Sequence, residues 1–144
     1  MCWDSDHSKA HILRELLEDQ ARQAAQLAYL PCRISDEPLR FSRTERFGEF
    51  WYRTSGRPDQ VLHYDEVASK IVGVLQFTIY TPENFGAGYS APLAGQLKTQ
   101  FERCILAKEK CFVLLGHLKA FEFNSVYHGN IINVVDGSFR FFCP

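Results

Sequence analysis

The stretch KIVGVLQFTIY, residues Lys70–Tyr80, decides the fold. Leu75, Phe77 and Ile79 alternate with Gln76, Thr78 and Tyr80. Period-two alternation is the mark of a strand with one face turned to a core. Pro82 stops it, because proline has no N–H to give a ladder. The next residues, ENFGAGYS (Glu83–Ser90), read as a glycine-rich loop. The loop lacks the Lys-Ser/Thr pair of a phosphate cradle, so none is expected. A helix then runs over Ala91–Lys108, with Ser90 as its cap and Pro92 in its first turn. Leu93, Ala94, Leu97, Phe101, Cys104 and Ile105 share one face of that helix. Lys108 and Lys110 suit the negative end of its dipole.

Upstream, the 100° wheel predicts a first helix over Ser5–Ala28. Ile12, Leu13, Leu16, Leu17, Ala21, Ala24, Leu27 and Ala28 fall on its buried half, and Arg14, Glu15, Glu18, Asp19 and Arg22 on the wet half. Ser5 or Asp6 would cap it, and Pro31 ends it from just beyond. Cys32–Gly48 reads as a long charged connection, Glu49–Thr54 as a short aromatic strand and Ser55–Gln60 as a turn. Val61–Ser69 is a second excursion before the main strand. Downstream, Cys111–Leu115, Leu118–Val126, Ile131–Val135 and Ser138–Cys143 are strand-like. Asp136-Gly137 is a two-residue hairpin signal, and His128-Gly129 marks another turn. The order predicts one α+β domain over residues 1–144, a mostly antiparallel or mixed β-sheet with two α-helices packed on one face.

The 144 residues can bury one real core, and 46% hydrophobic with 23% charged residues is an ordinary globular balance. That excludes a mainly disordered chain. Sixteen Lys and Arg against seventeen Asp and Glu leave a net charge of −1, which argues against a dedicated nucleic-acid binder. No apolar run reaches the ~18 residues a membrane span needs. MCWDSDHSKAH has no charged segment followed by an apolar one, so no secretory signal is expected. The five cysteines are odd in number and lack C-x-x-C spacing; with no export signal, reduced thiols are expected. Aromatic residues reach 14%, including twelve Phe, so a small domain either packs them very efficiently or buries some against partners.

Residues that could carry chemistry are sparse. His7 and His11 are i,i+4 on the first helix with Cys2 nearby, but no fourth ligand stands out. Asp65-Glu66 and Glu45/Glu49 are carboxylates with no evident shared pocket. No nucleophile motif accompanies the Cys and His residues. The expectation is therefore no enzyme, no catalytic residue, no metal and no cofactor. RFSRTER, Arg40–Arg46, carries three arginines and a phenylalanine, an anchor set that suits a protein interface better than nucleic acid. The candidate contact residues are Phe41, Arg43, Arg46 and Phe47 on this connection, with Phe85 and Tyr89 on the glycine-rich loop.

FWYRTS, then VGVLQFTIYTPENFG, the helix APLAGQLKTQF, a DG turn and the closing SFRFFCP form a further pattern. With Gly73, Pro82, Gly86, Ala91, Leu93, Ala94 and Leu97 as matching positions, the chain resembles the tail terminator proteins of tailed bacteriophages, the lambda-type minor tail protein family. The resemblance spans roughly Ile12–Phe142, with departures at Cys32–Gly48 and Leu118–Val135. It implies a structural virion protein that forms a homo-hexameric ring on the completed tail tube, ends tube polymerisation and offers a surface to the head. The implied partners are the tail tube protein, a head-completion or connector protein, and the sheath where the tail is contractile. Neither a specific nucleic acid nor a membrane is among them. The implied location is the head-proximal end of the tail, after assembly in the host cytoplasm. A head–tail joining (neck) protein is the alternative; a small cysteine- or metal-dependent enzyme is the more distant one.

Overall fold

The computed structural model describes residues 3–34, 45–63, 66–103, 106–123 and 129–144. Helix α1 (Trp3–Leu27) leads into a three-residue strand β1 (Cys32–Ile34), then two long strands, β2 (Phe47–His63) and β3 (Glu66–Pro82). A 3-10 turn (Glu83–Phe85) and helix α2 (Ala91–Arg103) follow. The chain closes with β4 (Leu106–Lys108), β5 (Cys111–Leu115), β6 (Lys119–Glu122) and β7 (Asn130–Cys143). The sheet order is β1-β2-β3-β7-β5-β4, and β6 also pairs with β7. Every pairing is antiparallel except β1 with β2. This is the α+β class expected, a mixed sheet with two helices over one face.

The alternation read in Lys70–Tyr80 is realised: Leu75, Phe77 and Ile79 are buried. They meet Leu13, Leu17, Ala21 and Ala24 of α1 and Leu93, Ala94, Leu97 and Phe101 of α2 in one core. At its centre Phe50 of β2, Phe77 of β3 and Phe101 of α2 form an aromatic wedge. Their ring centroids lie 6.0, 5.8 and 6.4 Å apart, within the range where offset and edge-to-face pairs are favourable. Leu27 departs from the wheel: it is 59% exposed.

Several expected boundaries move, for identifiable reasons. Asp136-Gly137 is not a hairpin but the middle of β7, paired with Gln76 and Leu75 of β3. A Cβ at residue 137 would overlap the Leu118 side chain, so this glycine serves close approach within a strand, not a reversal. Ser55–Gln60 is not a turn. It lies within β2, where Gly56, Arg57 and Pro58 oppose Ile71 alone between the pairs Ser55–Val72 and Asp59–Lys70. Such a bulge absorbs a proline that cannot donate to the ladder. The hairpin reverses instead between His63 and Glu66.

The second helix ends at Arg103, earlier than expected, and Lys108 lies on β4, where it pairs with Glu15 of α1. The Ser90 hydroxyl hydrogen-bonds Thr81 (2.5 Å) while its carbonyl accepts from the Ala94 N–H (3.0 Å). Cys104 and Ile105 lie outside the described residues.

The thiol expectation also changes. Cys111 and Cys143 form a disulfide, with Cα atoms 4.3 Å apart. The β5–β7 register, Phe112 with Phe142 and Val113 with Phe141, places them directly opposite at the end of the ladder. Cys32 is not in a disulfide; its thiol donates to the Arg33 carbonyl.

Replacing Phe77 by Ala should cost about 3–5 kcal/mol, through lost burial plus the cavity left in the wedge; denaturant unfolding measures it, and Phe77→Leu should cost less. A second outcome concerns alkaline pH. Tyr52 packs edge-on against Phe139, and burial, then the Glu18 charge, raise its pKa above 10.0. A raised folded pKa gives stability that is fully present below the unfolded value and lost as pH rises through the folded one. Unfolding curves above pH ~10 should therefore show a steeper decline for the wild type than for Tyr52→Phe.

Candidate partner interface

Three of the expected contact residues come together at one end of the sheet. The 3-10 turn carries Phe85, and Gly86 (φ 95°) and Gly88 (φ 78°) swing the chain back towards α2. Both glycines occupy the left-handed side of backbone space that side chains resist. The Thr81–Ser90 bond closes the base of the loop, and Glu122 of β6 accepts from the Gly88 N–H at 3.1 Å. So clasped, the loop presents Phe85 and Tyr89, 39% and 52% exposed, with centroids 5.1 Å apart and rings nearly perpendicular. Arg46, just before β2, lays its guanidinium over Tyr89, 5.2 Å from the ring centroid, and contacts the Ser90 hydroxyl at 3.5 Å. A cation over an exposed ring contributes about 0.5–1 kcal/mol and fixes the orientation of both side chains.

Phe47 has a different place. It is only 8% exposed and stacks on Tyr80 with centroids 4.8 Å apart, so its ring is spent inside the chain. Phe41 and Arg43 lie outside the described residues.

Sequence reading missed a second aromatic pair. Phe121 and Phe123 stand on the sheet face away from the helices, 40% and 48% exposed, in edge-to-face contact at 5.6 Å. Phe121 is registered against Val134, which is buried between it and Thr78. The signal was present as alternation in KAFEF, but only the pairing with β7 assigns the face.

Of the chemical candidates, His11 pairs with Glu15, which Lys108 also holds; these contacts, the Lys108 hydrogen bond first, lower the Glu15 pKa. Among the described residues no three His, Cys, Asp or Glu side chains gather into a set that could hold a metal. Cys2 and the His7 side chain are outside the description. No described helix is long and apolar enough to cross a membrane.

No family model and no curated protein matches the chain. Among solved structures, a chain that carries no functional name is similar in fold. Its TM-score is 0.69 at 11% identity, covering 92% of this chain and 94% of that one. The likeness extends over nearly the whole of both chains and concerns the fold alone.

An exposed contact cluster and a structural one respond differently to truncation. Phe85→Ser with Tyr89→Ser should leave unfolding free energy within about 1 kcal/mol of wild type, because exposed substitutions act weakly. Chemical denaturation measures this, and a larger loss would mark the pair as part of the core.

Proposed function

We propose that this chain is a structural ring protein that caps the tail tube of a tailed bacteriophage, ending tube growth and presenting a surface to the head. The carrying observation is the clasped cluster of Arg46, Phe85 and Tyr89. It is an arginine–aromatic group whose two rings are exposed and whose loop the fold clasps. Tyr and Arg anchors of this kind dominate protein contacts, and pre-set geometry lowers the ordering cost of binding. The resemblance in Gly73, Pro82, Gly86, Ala91 and the Leu93–Leu97 segment supports the same reading.

On this reading one end of the domain meets the last tube ring and another meets the neck.

The test is tube assembly watched by electron microscopy, with the tail tube protein polymerising in the presence or absence of this chain. Bounded tubes bearing a ring of density at one end are expected. Arg46→Ala with Tyr89→Ser should weaken capping by tenfold or more, the scale of losing one anchor (~1.4 kcal/mol). Tubes that grow unbounded with wild-type chain present, and carry no density at either end, would overturn the proposal.

A further inference from the structure

Helix α1 ends in a way its sequence does not favour. The Leu30 N–H bonds to the Ala25 carbonyl at 2.9 Å, and the Tyr29 N–H to the Gln26 carbonyl at 3.1 Å. This is the paired-bond helix ending whose pivotal position is left-handed and usually glycine. Here the pivot is Tyr29, with φ 54°. Its side chain is 92% exposed, and Leu27 beside it is 59% exposed. A bulky residue thus stands where glycine would be easier, and its ring gains nothing from its own core. Together Leu27 and Tyr29 form an apolar knob at the end of the helix layer.

The opposite face of the sheet carries a hollow of matching character. Outward-facing residues lie in rows across the strands. Val74 on β3 is registered with Arg53 on β2 and Ser138 on β7. Gly116, after β5, continues that row: its N–H bonds to the Ser138 carbonyl, and a Cβ there would sit 2.5 Å from the Ser138 hydroxyl. The row on one side holds Trp51, Gln76 and Asp136; the row on the other holds Val72, Arg140 and Leu114. Val74, Ser138 and Gly116, with Val72 and Arg140 beside them and Arg53 at the β2 end, line a groove across the strands. Its volume is about 570 Å³, within the ~300–1,000 Å³ of ligand-binding clefts. Val74 and Val72 in its lining are 47% and 37% exposed. Arg53 stands at its β2 end, with its guanidinium 5.6 Å from the Trp51 ring centroid, and Arg140 is exposed on the far wall.

We propose that Leu27 and Tyr29 of one copy seat in the groove of the next copy, head to tail, with the tyrosine ring between Arg53 and Arg140 over Val74. Guanidinium groups complement an aromatic face and donate to a phenol oxygen, so the lining suits tyrosine as well as leucine. Knob and groove lie on different layers of the domain, so each copy offers one to either neighbour. Such a contact is heterologous and closes into a ring when its rotation divides a full turn. This rests on the ring reading above and names the surfaces that would build the ring.

Two variants and their mixture test it by sedimentation and native mass spectrometry, on full chains with and without tube protein. Tyr29→Gly should keep its Tm, because glycine suits a left-handed pivot, yet self-associate about 30-fold more weakly, the size of a lost hot spot. Val74→Arg, on an exposed face, should fold and show a comparable loss. Mixed, the two should form 1:1 dimers and nothing larger, since the Tyr29→Gly groove and the Val74→Arg knob are intact. Rings from Tyr29→Gly at wild-type strength would overturn this pairing while leaving tube capping intact, as would rings from Val74→Arg at wild-type strength. A wild type that stays monomeric even on tubes would overturn the pairing and the ring together.

Discussion

The rest of the molecule depends on one packing problem, seating three phenylalanine rings where two long strands and a helix meet. Phe50, Phe77 and Phe101 are each fully buried, and they come from β2, β3 and α2. Their contacts fix the register of the β2–β3 hairpin relative to the helix, because a slip of one residue would turn Phe77 to the opposite face. With that register set, Val135, Phe139 and Phe141 of β7 turn inward and α1 covers the remaining apolar area with alanines and leucines. Small residues on α1 let a long helix lie close to the sheet, while the large rings fill the space beneath α2.

This division of labour explains where the surplus aromatics go. The core uses the helix-facing half of the sheet, so alternation places a second set of large residues outward. Phe112 stacks on Phe142 and Phe121 meets Phe123 edge-on, while Phe47, stacked on Tyr80, is covered. Outward rings that satisfy one another are rigid without being fully hidden, and rigid aromatic surface is well suited to binding another protein. The clasped loop with Arg46, Phe85 and Tyr89 adds the same quality at the end of the domain.

Much of the fold was legible because its main signals are local. Period two in Lys70–Tyr80 and the apolar faces of both helices required only side-chain spacing. The errors came where a local signal competes with a long-range contact. Asp136-Gly137 has the chemistry of a reversal, yet Leu118 needs the space a side chain would take, and no spacing rule reveals a neighbour 19 positions away. Ser55–Gln60 has turn composition, yet pairing on both sides carries the strand through it. The Cys111–Cys143 bond follows from a register that only the folded sheet defines. For the site, Arg46, Phe85 and Tyr89 could be chosen as an interface type, but their meeting depends on the Thr81–Ser90 closure. Leu27 was placed on the buried half and Tyr29 went unremarked, because a helix wheel does not see how a helix ends.

The β2–β3 hairpin outlasts the sheet that supports it. Its last pair with β7 is Ser69–Cys143, while its own pairing runs on to His63–Glu66. Among the described residues the final pairs form a two-strand ribbon that runs past the last β7 rung by roughly 10 Å at the usual rise per residue. Isolated two-strand ribbons are marginal in water. Its amide protons should therefore exchange with deuterium along a gradient, slow at Lys70 and fast near Glu66. That gradient is a built-in gauge: anything that grips the outrigger would slow its outermost amides first and announce itself before any change reached the interior.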